Sequence, residues 1–383
     1  MNEKESLMNT KNYDVVIIGA GSIGGACAWR LSEAGLRTAV IEKERTFGQG
    51  QNKAAIGGIR ATHSEGCKIA LCHESLRIVS TWKEKYGDDI DWIQGGYLYP
   101  VYTEKTERVL KDLLKVQKSF GLNIDWIGPD ETLEIAKGLR RDGLRGATFS
   151  PEDGCVSSLK LGAALHGQAV KNGAEFIYGE EALKVEDGVV VTSKGRYGFG
   201  TCVLASGVSD IRSLAGIPGD IFMEHHEAAI TEPLAPFTDA MVVDIEKVGN
   251  YGSCYFYQNR EGQVIFCLSP DPPNMGFRER YNNSAFLPNI TRRMLNLVPG
   301  LRDVKIRRTW AGYYPMTRDG VPFFEKRGNV IVACGMCGQG LMMGPGVASN
   351  VESMIRTGRP LIDEGLFSKL AVEREFSSTE LLK

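Results

Sequence analysis

The sequence has no long apolar run: no stretch of about 18 apolar residues free of charge occurs, which argues against a membrane-spanning helix. It has no excess of one charge either, with 45 Lys and Arg against 47 Asp and Glu for a net charge of −2. No basic cluster offers a local attraction, so neither nucleic acid nor an anionic membrane surface is an expected partner. Proline is modest at 15 residues and hydrophobic residues make up 43% of the chain, which excludes collagenous and disordered compositions. The nine cysteines are odd in number and scattered, so they form no secreted disulfide framework and read as reduced thiols. The first residues, MNEKESLMNTKN, are polar and lack the apolar centre of a signal peptide. A cytoplasmic globular protein of two or three domain units is expected from 383 residues.

Glycine, in contrast, is abundant: 45 of 383 residues, against an average usage of about 7%. The excess belongs where backbone turns tightly or approaches something closely. Tyr13 to Ile18 is a β-branched apolar run ending at Gly19, Ala26 to Ala34 reads as a helix stopped by Gly35, and Thr38 to Ile41 is a second strand. This β-α-β unit implies a parallel pair with a right-handed crossover. Between strand and helix lies Gly19-Ala-Gly21-Ser22-Ile23-Gly24. The first glycine serves the turn, the second lets a pyrophosphate reach the backbone, and the third lets the helix pack closely. Glu42 ends the second strand, 23 residues after Gly19, where a carboxylate accepts from both hydroxyls of an adenosine ribose. A dinucleotide site follows.

The motif alone does not separate NAD from FAD, since both contain ADP. Glycine-rich segments recur at 48 to 58 and 335 to 346, and a large, rigid flavin ring needs several bare backbone segments along its edges. Farther on, Cys67 to Tyr86, Thr106 to Phe120 and Lys160 to Asn172 read as helices. Cys254 to Tyr257 and Gln263 to Cys267, joined by NREG, read as an antiparallel hairpin. Asn329 to Ala333 is a strand, 335 to 346 a loop, and Val347 to Arg356 a helix. Parallel and antiparallel regions alternate along one chain, which indicates two interleaved domains.

The chain resembles the D-amino-acid oxidase-like FAD enzymes, which include glycine oxidase and sarcosine oxidase. The matching segments are DVVIIGAGSIGG with Glu42, FGQGQNKAAIGGIR at 47 to 60, VLASG at 203 to 207, RRTWAGYYPMTRDGVP at 307 to 322 and NVIVACGMCGQGLMMGPGV at 329 to 347. YGSCYFYQ at 251 to 258 and the pair Met342-Met343 are most similar to the beta subunits of heteromeric dye-linked L-proline dehydrogenase and sarcosine oxidase. The resemblance implies an α/β fold in which a Rossmann-like FAD-binding domain of the glutathione-reductase type is interleaved with an antiparallel-sheet α+β substrate domain. The expected division is 12–90, 150–215 and 305–383 for FAD, with 91–149 and 216–304 for substrate. Beyond the fingerprint, the expected cofactor contacts are Lys43, Gln51, Asn52, Gly57, Gly58 and Ile59, then Ala182, Ala205, Ser206 and Gly207. In the last loop they are Gly335, Cys337, Gly338, Gln339, Gly340, Leu341 and Met342.

By the same resemblance Arg60 grips the substrate carboxylate, which a planar guanidinium does bidentately; a surface loop arginine would fit the same position. His63 either lines that cavity or is an ordinary polar loop histidine. Tyr314, in GYYP, is expected in the substrate pocket, although a core tyrosine fits equally, and Tyr255 is favoured over Tyr257 to face the flavin. Relatives that hold FAD covalently use a cysteine where this chain has Gly312, so FAD is expected to be noncovalent. Met342 stands where a carboxylate-binding lysine occurs, and Cys267 or a neighbour where an oxygen-activating lysine occurs, which favours a dehydrogenase over an oxidase. Ser157 and Ser158 stand near a flavin-linking histidine of the heteromeric enzymes, so any FMN at a subunit interface is noncovalent. An alpha-type partner subunit and a downstream electron acceptor are implied. A single Cys334-x-x-Cys337 is a weak metal signal and no metal is expected.

The implied reaction is dehydrogenation of an amino acid or secondary amine, such as L-proline or sarcosine, by hydride transfer to flavin N5. A stand-alone glycine or sarcosine oxidase making peroxide, and a FAD-carrying scaffold subunit, are the rival readings.

Overall fold

Lys11–Ile18 shows no polar alternation beyond Asp14 because both its faces are covered: Val15, Val16 and Ile17 have no exposed surface, as befits a central parallel strand between helical layers. The computed structural model describes residues 10–249, 251–275, 281–376 and 379–382. The strand lies within a sheet ordered Phe323–Arg327, Val330–Cys334, Arg196–Leu204, Lys11–Ile18, Thr38–Glu42, Glu175–Tyr178. Neighbours pair in parallel except Phe323–Arg327, which closes one edge antiparallel. Helix Ser22–Glu33 packs on helices Gly340–Thr357 and Ser158–Lys171, and Gly340–Thr357 packs in turn on Gly66–Ser80.

The turn from strand to helix shows why glycine is needed. Gly19 has φ +101°, a conformation L side chains rarely adopt. A Cβ on Gly24 would overlap the Gly19 carbonyl oxygen, so the helix lies directly on the turn. The last glycine-rich segment differs from expectation: the helix starts at Gly340, not Val347, and runs through Pro345.

A second sheet is ordered Ile306–Met316, Phe222–Pro233, Gln263–Pro270, Tyr251–Gln258, Met241–Asp244, Tyr97–Val101, Gly146–Ser150, Asp125–Ile127. Its pairs are antiparallel apart from Met241–Asp244 with Tyr97–Val101. Ile306–Met316 therefore belongs here, because it zips along Phe222–Pro233 from Phe222↔Met316 to Thr231↔Ile306; the expected boundary at 305 moves past Met316. The two faces separate by period two. Leu98, Val242, Cys254 and Phe256 join Phe286, Ile290 and Met294 of helix Phe286–Leu297 in one core. Tyr97, Tyr99, Met241, Tyr257 and Ile265 form another on the opposite face, with Tyr255 packed against it. Tyr255 and Tyr257 thus share one face, whereas the sequence reading set them apart.

Behind the helix-covered face, Arg293 Nη2 donates to Asp244 Oδ2 at 2.5 Å and to the Glu246 carbonyl at 2.8 Å. Burial lifts the Asp244 carboxyl to about 6 although Arg293 pulls it down. A carboxyl whose folded pKa is raised disfavours folding once pH climbs through that value. Arg293→Met leaves this carboxylate unpaired and should cost about 3–5 kcal/mol at neutral pH, with a smaller loss at pH 5, where Asp244 is protonated. Thermal melts at pH 5 and 8 check this, and equal losses would refute it.

Candidate active site

A cavity of about 550 Å³ opens where the parallel strands end, the usual ligand position in open α/β sheets. Ile18 and Gly19, Ile41 and Glu42, Ala205 and Ser206, and Cys334 and Gly335 supply its floor. Glu42 holds the turn: its Oε2 accepts from Ala20 N at 2.7 Å and its Oε1 from Glu44 N at 2.9 Å. Each carboxylate oxygen keeps a further lone pair. Ser22 Oγ donates to Asn52 Oδ1 at 2.6 Å, which ties the segment 48–58 to the helix start.

That segment is also fastened to the second sheet. Tyr313 N donates to Gln51 Oε1 at 2.7 Å, Trp310 Nε1 to Ala54 O at 3.1 Å, and Tyr257 Oη to Ile56 O at 2.9 Å. The sheet roofs the cavity with Tyr255, Cys267, Tyr314 and His226. The hydroxyls of Tyr255 and Tyr314 lie 2.8 Å apart, and burial pushes both phenols above their ordinary pKa. His226 stacks on the Tyr314 ring at 3.7 Å between centroids, and its Nε2 lies 2.9 Å from Glu224 Oε1. Burial likewise lifts the Cys267 thiol to about 12. Among the described residues lining the cavity, the only Lys or Arg is Lys43.

Most of the expected site residues meet here. Gly21, Ser22, Ile23 and Lys43 line the cavity with Gln51 and Asn52, as do Ala182, Gly207, Gly338, Gly340 and Leu341. Gly24, Gly57, Gly58, Ile59, Cys337, Gln339 and Met342 do not. Gly57 and Gly58 face the Val156 carbonyl and the Tyr97 hydroxyl, while Ile59 and Met342 are buried in the first domain's core. Cys337 Sγ donates to Gly335 O at 3.1 Å and Cys334 Sγ to Leu204 O at 3.1 Å, so each thiol has its own local partner.

Arg60 and His63 also lie outside the cavity lining. Arg60 is 5% exposed and donates to the carbonyls of Thr62 and Leu382. Its Nη1 is 3.2 Å from His63 Nδ1, and His63 Nε2 is 3.3 Å from Cys72 Sγ. Burial, then the charges of Arg60 and Lys68, hold His63 well below its usual pKa, so it is neutral, with Nδ1 accepting from Arg60 and Nε2 donating. Arg60 lies near enough for its charge to act on Tyr314. His226, Trp310 and Tyr313 were not found from sequence. The alternation in FMEHHEAAITEP is the signal that would have placed His226 on a strand face.

These residues fit FAD. A Cβ added to Gly21 would meet nothing within 4 Å, so bare backbone at a helix start looks into the cavity, as a pyrophosphate requires. Gly312 lines the cavity and offers no thiol for attachment. The model of the FAD-dependent oxidoreductase family DAO matches residues 14–353. The chain belongs to this family.

As a family member it is an FAD-dependent oxidoreductase acting on amino acids or amines. Glycine oxidase of Geobacillus kaustophilus (strain HTA426) is 27% identical over 376 residues, covering 94% of this chain and 97% of that one. Sarcosine oxidase subunit beta of Arthrobacter sp is 25% identical over 362 residues, covering 90% and 87%. The crystal structure of L-proline dehydrogenase from P. horikoshii superposes with a TM-score of 0.87 at 25% identity, covering 96% of this chain and 98% of that one. No helix among the described residues is long and apolar enough to cross a membrane.

The fingerprint glycines differ in what they support. Gly21→Val should leave a folded chain whose FAD affinity drops at least about tenfold, some 1.4 kcal/mol, whereas Gly24→Val drives a side chain into the Gly19 carbonyl and should unfold the domain. Flavin content and far-ultraviolet circular dichroism of both variants separate the two effects. Equal behaviour of the pair would contradict the assignment.

Proposed function

We propose that the enzyme dehydrogenates a small amino acid or secondary amine of the L-proline or sarcosine kind. In this reading it is the catalytic, beta-type subunit of a heteromeric cytoplasmic complex, and its electrons go to an acceptor other than oxygen. The observation that carries the reading is the Tyr255–Tyr314 hydroxyl pair in the cavity roof, 2.8 Å between oxygens. Both phenols keep their protons, because burial disfavours phenolate. One O–H joins the pair, and the other remains to donate to a substrate oxygen or orient its amine. Arg60 is the proposed carboxylate anchor. Trp310 and Tyr313 wall the cavity with the roof strands and keep water from the reacting carbon. FAD, when bound, supplies a two-electron hydride acceptor. Hydride loss from an unprotonated amine needs no further general base.

The choice of a dehydrogenase rests on Cys267. Reduction of oxygen builds negative charge, which a nearby cation stabilises; here a thiol kept neutral by burial occupies the roof instead. The subunit role is supported by the likeness to sarcosine oxidase subunit beta, and the cytoplasm by nine buried, unpaired cysteines. A stand-alone glycine oxidase is the second reading, favoured by a relative of that name matching nearly end to end.

Anaerobic mixing of the purified flavoprotein with a panel of amino acids and amines tests the proposal. L-Proline or sarcosine should bleach the flavin, and in air peroxide should form far more slowly than an artificial dye is reduced. Bleaching by no compound, or peroxide formation matching turnover, overturns it. Tyr314→Phe removes one donor and should lower kcat/KM about 10- to 100-fold, as expected for a hydrogen bond to a charged group; stopped-flow flavin reduction measures it.

A further inference from the structure

Glu380–Leu382, the last residues described, contact the surroundings of Arg60. Glu380 Oε1 accepts from Ser64 N and Ser64 Oγ, both at 2.9 Å, and Oε2 lies 3.2 Å from Lys68 Nζ. The backbone is fixed as well: Glu380 N donates to Asp319 O at 2.9 Å and Leu381 N to Ser64 Oγ at 2.9 Å. Burial would favour the neutral acid, yet Lys68, Arg60 and the N–H groups of Ser64 and Leu382 hold the Glu380 carboxyl down to about 2. The carboxylate is therefore a permanent anchor near neutral pH. Beyond it, the Leu382 carbonyl accepts from Arg60 Nη2. The Leu382 side chain is 2% exposed, within the apolar cluster of Tyr97, Tyr99 and Tyr257 that reaches Tyr255 at the cavity wall.

A carbonyl oxygen on a guanidinium fork occupies the place a substrate carboxylate oxygen needs. We infer that Glu380–Leu382 is a specificity-determining element: it holds the carboxylate seat on Arg60, so a carboxylate-bearing substrate must displace it, whereas an amine without a carboxylate need not. The inference rests on the proposed role of Arg60 and adds what controls access to it. Glu380 is the latch, since its carboxylate is bound from a different element than the Leu382 carbonyl. The segment acts through Arg60 and touches no reacting atom.

The test compares three holoenzymes: the full chain, a chain ending at Thr379, and full-chain Glu380→Gln. For each, kcat/KM is measured with an artificial dye for L-proline against pyrrolidine and for sarcosine against dimethylamine. The acid-to-amine ratio should rise at least about tenfold in the shortened chain and less in Glu380→Gln, through KM of the acid. An unchanged or lower ratio in both variants, with flavin retained, overturns the inference and makes the segment a structural clamp. If the shortened chain loses flavin, the Glu380→Gln ratio decides. If no amine or amino acid reduces the flavin, the proposed function has failed separately. Binding of pyrrole-2-carboxylate and of pyrrole to the full and shortened chains, read from the flavin spectrum, then decides: carboxylate affinity at least about tenfold tighter in the shortened chain, with pyrrole affinity unchanged, supports the segment's role, and unchanged affinities for both refute it.

Discussion

Helix Ser22–Glu33 lies so close to the turn before it that Gly24 has no room for a Cβ beside the Gly19 carbonyl, and the placement of everything else follows from that contact. It aims the free N–H groups of the helix start along the ends of the parallel strands. Glu42 fixes the turn from the neighbouring strand through Ala20 N. Ser22 then fixes Asn52, so the segment 48–58 is positioned by the same helix. The three hydrogen bonds that this segment accepts from Trp310, Tyr313 and Tyr257 carry the registration across to the second sheet. A pair of tyrosine hydroxyls in the roof is thereby set over a cradle built from bare backbone in the floor.

The two domains divide the chemistry accordingly. The parallel-sheet side supplies bare backbone and the carboxylates of Glu42, Glu44, Glu181 and Asp210, of which Glu42 holds the turn. The antiparallel sheet supplies side chains on its period-two face, and these differ in what they present to a substrate. Cys267 stands in that face opposite Ala228 and Tyr255 in the strand register, and its thiol also meets the Tyr255 hydroxyl, so the roof there carries neutral groups.

What was legible in the sequence was mostly local. The strand, turn, helix and Glu42 lie within about 30 residues, the span of a β-α-β unit, and each has its own signature. The start of helix Gly340–Thr357 was misread because Gly340, Gly344, Gly346 and Pro345 have poor helix propensity. Packing overrides it there, since Gly344 and Gly346 abut the Ser22 and Leu71 carbonyls of neighbouring helices. Arg60 was legible only as a carboxylate anchor implied by the resemblance or as a surface loop arginine; its burial and its partner Leu382, 322 residues away, follow no spacing rule. His226 lies in a segment whose own alternation marks a strand, but which face meets the cavity is set by its distant pairing with Gln263–Pro270 and Ile306–Met316.

The central claim is that this cradle holds FAD by noncovalent contacts, with Gly312 in its lining offering no thiol for attachment. Acid precipitation of the purified chain, followed by chromatography of the released flavin, tests it most directly. The account predicts close to one FAD per chain in the supernatant and a colourless pellet. Flavin retained in the pellet, or a nicotinamide dinucleotide in place of FAD, would contradict it.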